Sequence, residues 1–244
     1  MGLDPTHLFG DQIAASRIGA RFSSMDTRAL LALAIEHLYA DRIALVSSFG
    51  ADSAVLLHMV AQIDRSTPVI FVDTRQLFPE TLAYRDQLVD MLKLTNLIEA
   101  APDADQLAME DPEGFLWSSD ADKCCDIRKT QPLAKVLGRY EAWITGRKRF
   151  QASTRSALSF FEAEGERVKL NPLANWDAAQ ILAYLAKNSL PSHALVAKNY
   201  LSIGCLPCTS PVRPGEDARA GRWRGKGKAE CGIHLGTLNA GDGI

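Results

Sequence analysis

The chain has 244 residues, 47% hydrophobic and 23% charged, which suits one large domain, or a domain with an appendage, that buries a sizeable core. Its net charge of −2, from 27 basic and 29 acidic residues, argues against a protein that binds nucleic acid over its whole surface. No apolar run approaches the roughly 20 residues that cross a bilayer, and Met1–Gly10 lacks a basic region followed by an apolar core, so a cytoplasmic enzyme without membrane contact is expected.

In chain order, Asp26 predicts the cap of a helix running to about Ala40, with Leu30, Leu31, Ala34, Ile35 and Leu38 on its buried side. Arg42–Phe49 (RIALVSSF) reads as a strand, apolar through Ile43–Val46, and Asp52–Ile63 as a helix. Val69–Val72 is a short buried strand, Pro79–Leu92 a helix with proline in its first turn, and Asn96–Ile98 a further short strand. Asp122–Leu137 is helical in composition, but Pro132 must kink or restart it. Ala142–Thr145 reads as a strand and Trp176–Lys187 as an amphipathic helix. Strands alternating with helices predict right-handed crossovers, hence an α/β fold with a mainly parallel twisted sheet flanked by helices. A ligand is expected beyond the carboxyl ends of the strands.

Charge is uneven along this frame. Glu99–Asp126 holds nine acids and one base, whereas Thr145–Arg155 holds four bases and no acid. Arg213–Lys228 holds six bases against two acids, is rich in glycine and shows no apolar periodicity. It reads as a mobile tail and not as core, dividing the chain into a body over 1–211 and a tail over 212–244.

The five cysteines are Cys124, Cys125, Cys205, Cys208 and Cys231. An odd count in a chain of this size fits a disulfide framework poorly. Two close pairs suit one metal centre with four sulfur ligands, either a structural zinc or an iron–sulfur cluster. Adjacent cysteines on a helix point about 100° apart, which suits two corners of a cluster better than one small ion. Arg128 and Lys129 follow at once, placed to balance the charge of a thiolate-ligated cluster or to bind an anion. Cys231 is left over, preceded by Arg219, Arg222, Arg224, Lys226 and Lys228, which favour its thiolate.

A phosphate site is expected at Ser47-Ser48-Phe49-Gly50-Ala51-Asp52-Ser53, a loop that follows a strand and opens a helix. It is not a Walker loop, because no Gly-Lys-Ser/Thr follows. It is similar to the S-G-G-x-D-S loop of the adenine-nucleotide α-hydrolases, but Phe49 replaces one glycine, which weakens a pyrophosphate-cleaving assignment. Asp73 and Thr74 occupy the next carboxyl-terminal strand edge.

Five strings occur in order between about residues 43 and 235: S-x-F-G-A-D-S, V-D-T-x-x-L-F-P-E-T, K-C-C-x-x-R-K, S-I-G-C-x-P-C-T and E-C-G-I-H-L. Together they resemble the assimilatory adenylyl-sulfate reductases, a branch of the phosphoadenylyl-sulfate reductase family. The resemblance implies an adenine-nucleotide α-hydrolase-like fold with a flexible C-terminal tail. It also implies a 4Fe–4S cluster on Cys124, Cys125, Cys205 and Cys208, and adenosine 5′-phosphosulfate (APS) as substrate. Cys231 would attack the sulfur of APS, AMP would leave, and an S-sulfocysteine would form. Thioredoxin would then release sulfite, in sulfate assimilation and cysteine biosynthesis. Arg128, Lys129, Gly146, Arg147, Arg155, Arg219 and Arg222 would contact the substrate, with Ser47, Ser48, Phe49, Gly50, Asp52, Ser53, Asp73 and Thr74 holding the nucleotide. A homo-oligomer stays open. The alternatives are use of the 3′-phosphorylated substrate, an ATP pyrophosphatase of the tRNA-thiolating kind, or a non-catalytic cluster- or zinc-binding module; the last leaves Cys231 without a role.

Overall fold

The computed structural model describes residues 25–228 and 230–234. The first 24 positions of the expected body, and residues 229 and 235–244 of the expected tail, with Leu235 of the last motif, lie outside the described residues.

The Asp26 carboxylate accepts the N–H groups of Arg28 and Ala29 and so starts α1 (Thr27–Ala32), which continues as a π-helical stretch over Leu33–Leu38. The chain then alternates through β1 (Ile43–Ser47), α2 (Ser53–Ile63), β2 (Val69–Val72), α3 (Pro79–Leu92) and β3 (Leu97–Ala100). Three short helices follow: α4 (Ala104–Glu110), α5 (Leu116–Ser119) and α6 (Ala121–Cys125). A π-helical turn, Asp126–Thr130, links α6 to α7 (Gln131–Leu137). After β4 (Ala142–Ile144) come β5 (Phe161–Glu164), β6 (Arg167–Leu170) and α8 (Ala178–Lys187).

The predicted restart at Pro132 is present, and its form is the π turn. A proline in a regular helix leaves the carbonyl four residues back without its donor and clashes with it; a wider turn just before it relieves that conflict. This turn carries Arg128 and Lys129.

The six strands form one sheet in the order β3-β2-β1-β4-β6-β5, all pairs parallel except β5 with β6. Both faces of the central strands are buried, so side chains alternate between two apolar layers. Ile43 and Leu45 of β1, Val69 and Phe71 of β2, and Ala142 and Ile144 of β4 pack with α1, α2, α3 and α8. Ala44, Ile70, Val72 and Trp143 face the other way, onto Leu133 and Leu137 of α7. Each large side chain so buried contributes about 1.5–3 kcal/mol.

The β5–β6 hairpin was not predicted. Its strand over Phe161–Glu164 carries two glutamates, and Lys169 and Glu164 are buried at 3% and 6% exposure. They satisfy one another: Lys169 Nζ donates to Glu164 Oε1 at 2.5 Å, and Trp143 Nε1 donates to Glu164 Oε2 at 2.9 Å. Charge that reads as surface in the sequence is here an internal pair, which hides the strand pattern. Among the described residues no helix is long and apolar enough to cross a membrane.

Candidate active site

A cavity of about 240 Å³ opens where the expected crevice should be, beyond the carboxyl ends of β1 and β4. Its walls are the loop after β1, the segment after β4, the loop 201–205 and the tail. Ser47, Ser48, Gly50, Asp52, Ser53, Thr74, Lys129, Gly146, Arg147, Arg155, Arg219, Arg222 and Cys231, all expected in a site, line it.

In the loop after β1, Asp52 stands at the helix start, but its side chain does not cap α2. Its carboxylate instead accepts from Lys148 Nζ at 3.0 Å. Lys148 is buried to 1% and also donates to the Gly146 carbonyl at 3.0 Å. Burial pulls its amine below the usual lysine value, against the attraction of Asp52. The helix end, with its partial positive charge, therefore faces the cavity without a carboxylate folded over it.

Three expected contacts, Phe49, Asp73 and Arg128, stand outside the cavity lining. Phe49 is fully buried, with its ring edge-on to Phe71 at 5.4 Å. Its positive φ of 48° turns the side chain into the core, so the residue shapes the loop as a plug. Asp73 turns back on Arg75, accepting from its N–H at 2.8 Å and from Nη1 at 2.9 Å. Arg128 is braced inside the fold: Nε and Nη2 reach Asp111 at 3.2 and 2.6 Å, and Nη1 reaches the Thr74 carbonyl at 3.0 Å. The π turn directs Lys129 to the cavity and Arg128 away from it.

Residues 213–228, expected to hold no core, contribute a buried side chain. Trp223 is 2% exposed and packs with Cys125, Cys205 and Cys208, with Trp117 and Cys231 against them. The backbone locks it there: Trp223 N–H donates to the Cys208 carbonyl at 3.0 Å, and Ser210 N–H to the Gly221 carbonyl at 2.9 Å. A Cβ on Gly221 would lie 2.0 Å from the Ser210 oxygen, so only glycine permits this approach. Cations surround the indole: Arg222 lies 4.4 Å from its centroid, Lys228 5.8 Å, Lys129 5.9 Å and Arg219 6.0 Å. Gly204 makes room for Arg222, whose guanidinium would stand 2.3 Å from a Cβ there.

The four paired cysteines are buried to between 5% and 8% exposure, and none is in a disulfide. Burial pushes the Cys124 thiol up to about 11, and the charges of Cys205 and Cys208 also act on it. Thr74 Oγ1 lies 3.2 Å from Cys205 Sγ. Among the described residues no three His, Cys, Asp or Glu side chains converge as they would on a single metal ion. Four buried thiols beside a lysine are the donor chemistry that an iron–sulfur cluster takes, one sulfur to each metal atom.

Cys231 shares a hydrogen bond with Cys125. That bond, then Lys129, the Ile233 N–H and Arg222, outweigh burial and hold its thiol well below the usual value. Lys129 is itself held above its usual value, because the charges of Cys205, Cys231 and Cys125 overcome its burial. Sequence reasoning missed Lys148, Gln151, Trp223 and Glu230 in this cavity. Lys148 lay in the noted basic segment, and Glu230 in the E-C-G-I-H-L string; neither signal says which side chain turns inward.

Residues 42–211 match the phosphoadenosine phosphosulfate reductase domain family. A relative from Mesorhizobium japonicum named adenosine 5′-phosphosulfate reductase is 53% identical over 230 residues, 93% of this chain and 91% of its own. A relative of the same name from Chelativorans sp. is 51% identical, covering 94% of each chain. Among solved structures, the phosphoadenylyl-sulfate reductase of Candida auris in its phosphate complex superposes with a TM-score of 0.68 at 26% identity, over 83% of this chain and 98% of that one. Yeast FAD synthetase, at 19% identity and a TM-score of 0.54, shares the fold, which is of the adenine-nucleotide α-hydrolase kind.

Proposed function

This chain belongs to the phosphoadenosine phosphosulfate reductase family, and from that premise we propose that it reduces adenosine 5′-phosphosulfate to sulfite and AMP in sulfate assimilation. The observation that carries this reading is one cavity lined by Cys231 and by Lys129, Arg155, Arg219 and Arg222. A nucleophile and several cations in one enclosure suit attack on an anionic sulfur, where like charges must be screened.

The Ser47–Ser53 loop and the open end of α2 hold the nucleotide phosphate. The Cys231 thiolate attacks the sulfur, the bond from sulfur to the bridging oxygen breaks, and AMP leaves with that electron pair. The product on the protein is an S-sulfocysteine. A thioredoxin thiolate then attacks Cys231 Sγ and sulfite departs with the S–S bonding pair; a second thioredoxin thiol resolves the mixed disulfide. Both electrons come from that dithiol. Lys129 and Arg222, which share the cavity and whose charges favour the Cys231 thiolate, neutralise the sulfonate as it transfers.

Cys124, Cys125, Cys205 and Cys208 would hold a 4Fe–4S cluster, which when bound supplies fixed charge and a rigid frame. The π turn that follows Cys125 brings Lys129 from that frame to the cavity wall. Five free thiols suit a reducing compartment, supporting a cytoplasmic enzyme. The test is incubation with APS followed by mass spectrometry. Wild-type protein should carry a sulfonate on Cys231; Cys231→Ser should carry none and make no sulfite, while still binding APS. Sulfite formation by Cys231→Ser would remove the nucleophile from the scheme.

A further inference from the structure

Glu230 precedes the nucleophile and projects into the cavity, with a side chain 12% exposed. Its two carboxylate oxygens take the fork of Arg155, Nε to Oε1 at 2.7 Å and Nη2 to Oε2 at 2.8 Å. Arg219 Nη2 adds a third contact to Oε2 at 3.0 Å, and Thr154 Oγ1 a fourth to Oε1 at 3.4 Å. Burial would raise this carboxyl's pKa, but Arg155, Arg219 and Arg147 hold it below the usual value, so it is the anion. A guanidinium fork donates to carboxylate, phosphate and sulfate with nearly the same geometry. Among the described residues Lys129 and Arg222, on the same cavity, form no ion pair. The enclosure thus keeps two cations for an incoming anion and closes two others with a residue of its own tail.

We infer that Glu230 is a placeholder, a carboxylate that holds Arg155 and Arg219 in position for the substrate's phosphosulfate and is exchanged for it when substrate enters. This rests on the proposed function above. The exchange has three consequences. The arginine fork is aligned before substrate arrives, so binding orders fewer side chains. In the empty cavity the buried Arg155 keeps a counterion. Because Glu230 is the neighbour of Cys231, its displacement frees the nucleophile's segment as the anion arrives, and its return after AMP leaves seals the site. Its presence also lowers the apparent affinity, since every substrate must first break three charged contacts.

The test compares Cys231→Ser, which does not consume APS, with Cys231→Ser/Glu230→Gln by titration calorimetry. The inference expects the glutamine variant to bind APS about tenfold more tightly. A contact that merely held the tail together would do the opposite, so unchanged or weaker APS binding overturns the placeholder role. If neither variant binds APS while circular dichroism shows both folded, the nucleotide-sulfate reading fails, and the inference falls with it.

Discussion

At the scale of single residues, the site depends on side chains that satisfy a local need other than the one their position suggests. Phe49 sits at a left-handed φ that disfavours side chains by roughly 1–2 kcal/mol, yet its buried ring offsets this with about 1.5–3 kcal/mol; the loop keeps its turn without the second glycine. Asp52 reads as a helix cap and serves as the counterion of Lys148, whose side chain is 2% exposed against 31% for the aspartate. Lys148→Met should leave that carboxylate facing the nucleotide phosphate. AMP affinity should fall about tenfold, measured by calorimetry. Because the aspartate is partly solvated, stability should fall by only about 1–2 kcal/mol; Lys148→Met/Asp52→Asn should recover most of it, read from thermal melts. Which charged side chains turn inward was not legible along the chain, because Lys148 lies among Arg147 and Arg149 in one run of like charge.

Among the elements, the tail is where sequence and structure part. Glycine, arginine and lysine mask a single anchor, Trp223, and an unpatterned segment has no periodicity to show that one indole goes into the body. Trp223→Ala should release the segment, as loss of a large buried aromatic removes about 3 kcal/mol or more; limited proteolysis should then cut within 213–228 faster than in wild type. Unchanged cleavage would mean that the backbone bonds to Cys208 and Ser210 suffice. Docking should also depend on acid. Glu230 has a folded pKa below its ordinary 4.5. Its contribution is therefore complete above that ordinary value and is lost as pH falls through the lowered one. An acid titration followed by tryptophan fluorescence should show a step below 4.5 in wild type that Glu230→Gln lacks. Val69–Val72 and Pro79–Leu92, by contrast, match their expected bounds, since period and proline placement are local properties, whereas the short helices α4 and α5 were not read at all.

For the molecule as a whole, the decisive fact is that the topology brings together cysteines about eighty positions apart in the chain. Central β1, with β2 and β4 beside it, directs the three loops to one edge, and the turn after Cys125, the Leu206–Cys208 turn and the tail meet there. Cys208→Ala should abolish the absorbance near about 400 nm expected of an iron–sulfur protein and most of the activity, with far-ultraviolet dichroism retained, because the two apolar layers lie elsewhere. A colourless wild type purified without oxygen would argue against the cluster. The sequence by itself determined the alternation of strands and helices, the phosphate-type loop, the two cysteine pairs and the lone terminal thiol, because each is a pattern of near neighbours. Only the tertiary structure decided that Arg128 faces inward while Lys129 faces the cavity, that the β5–β6 hairpin closes the sheet, that Trp223 seats the tail and that Glu230 fills an arginine fork. Those choices depend on which charge finds a partner across space, and pairing between distant residues leaves no period along the chain.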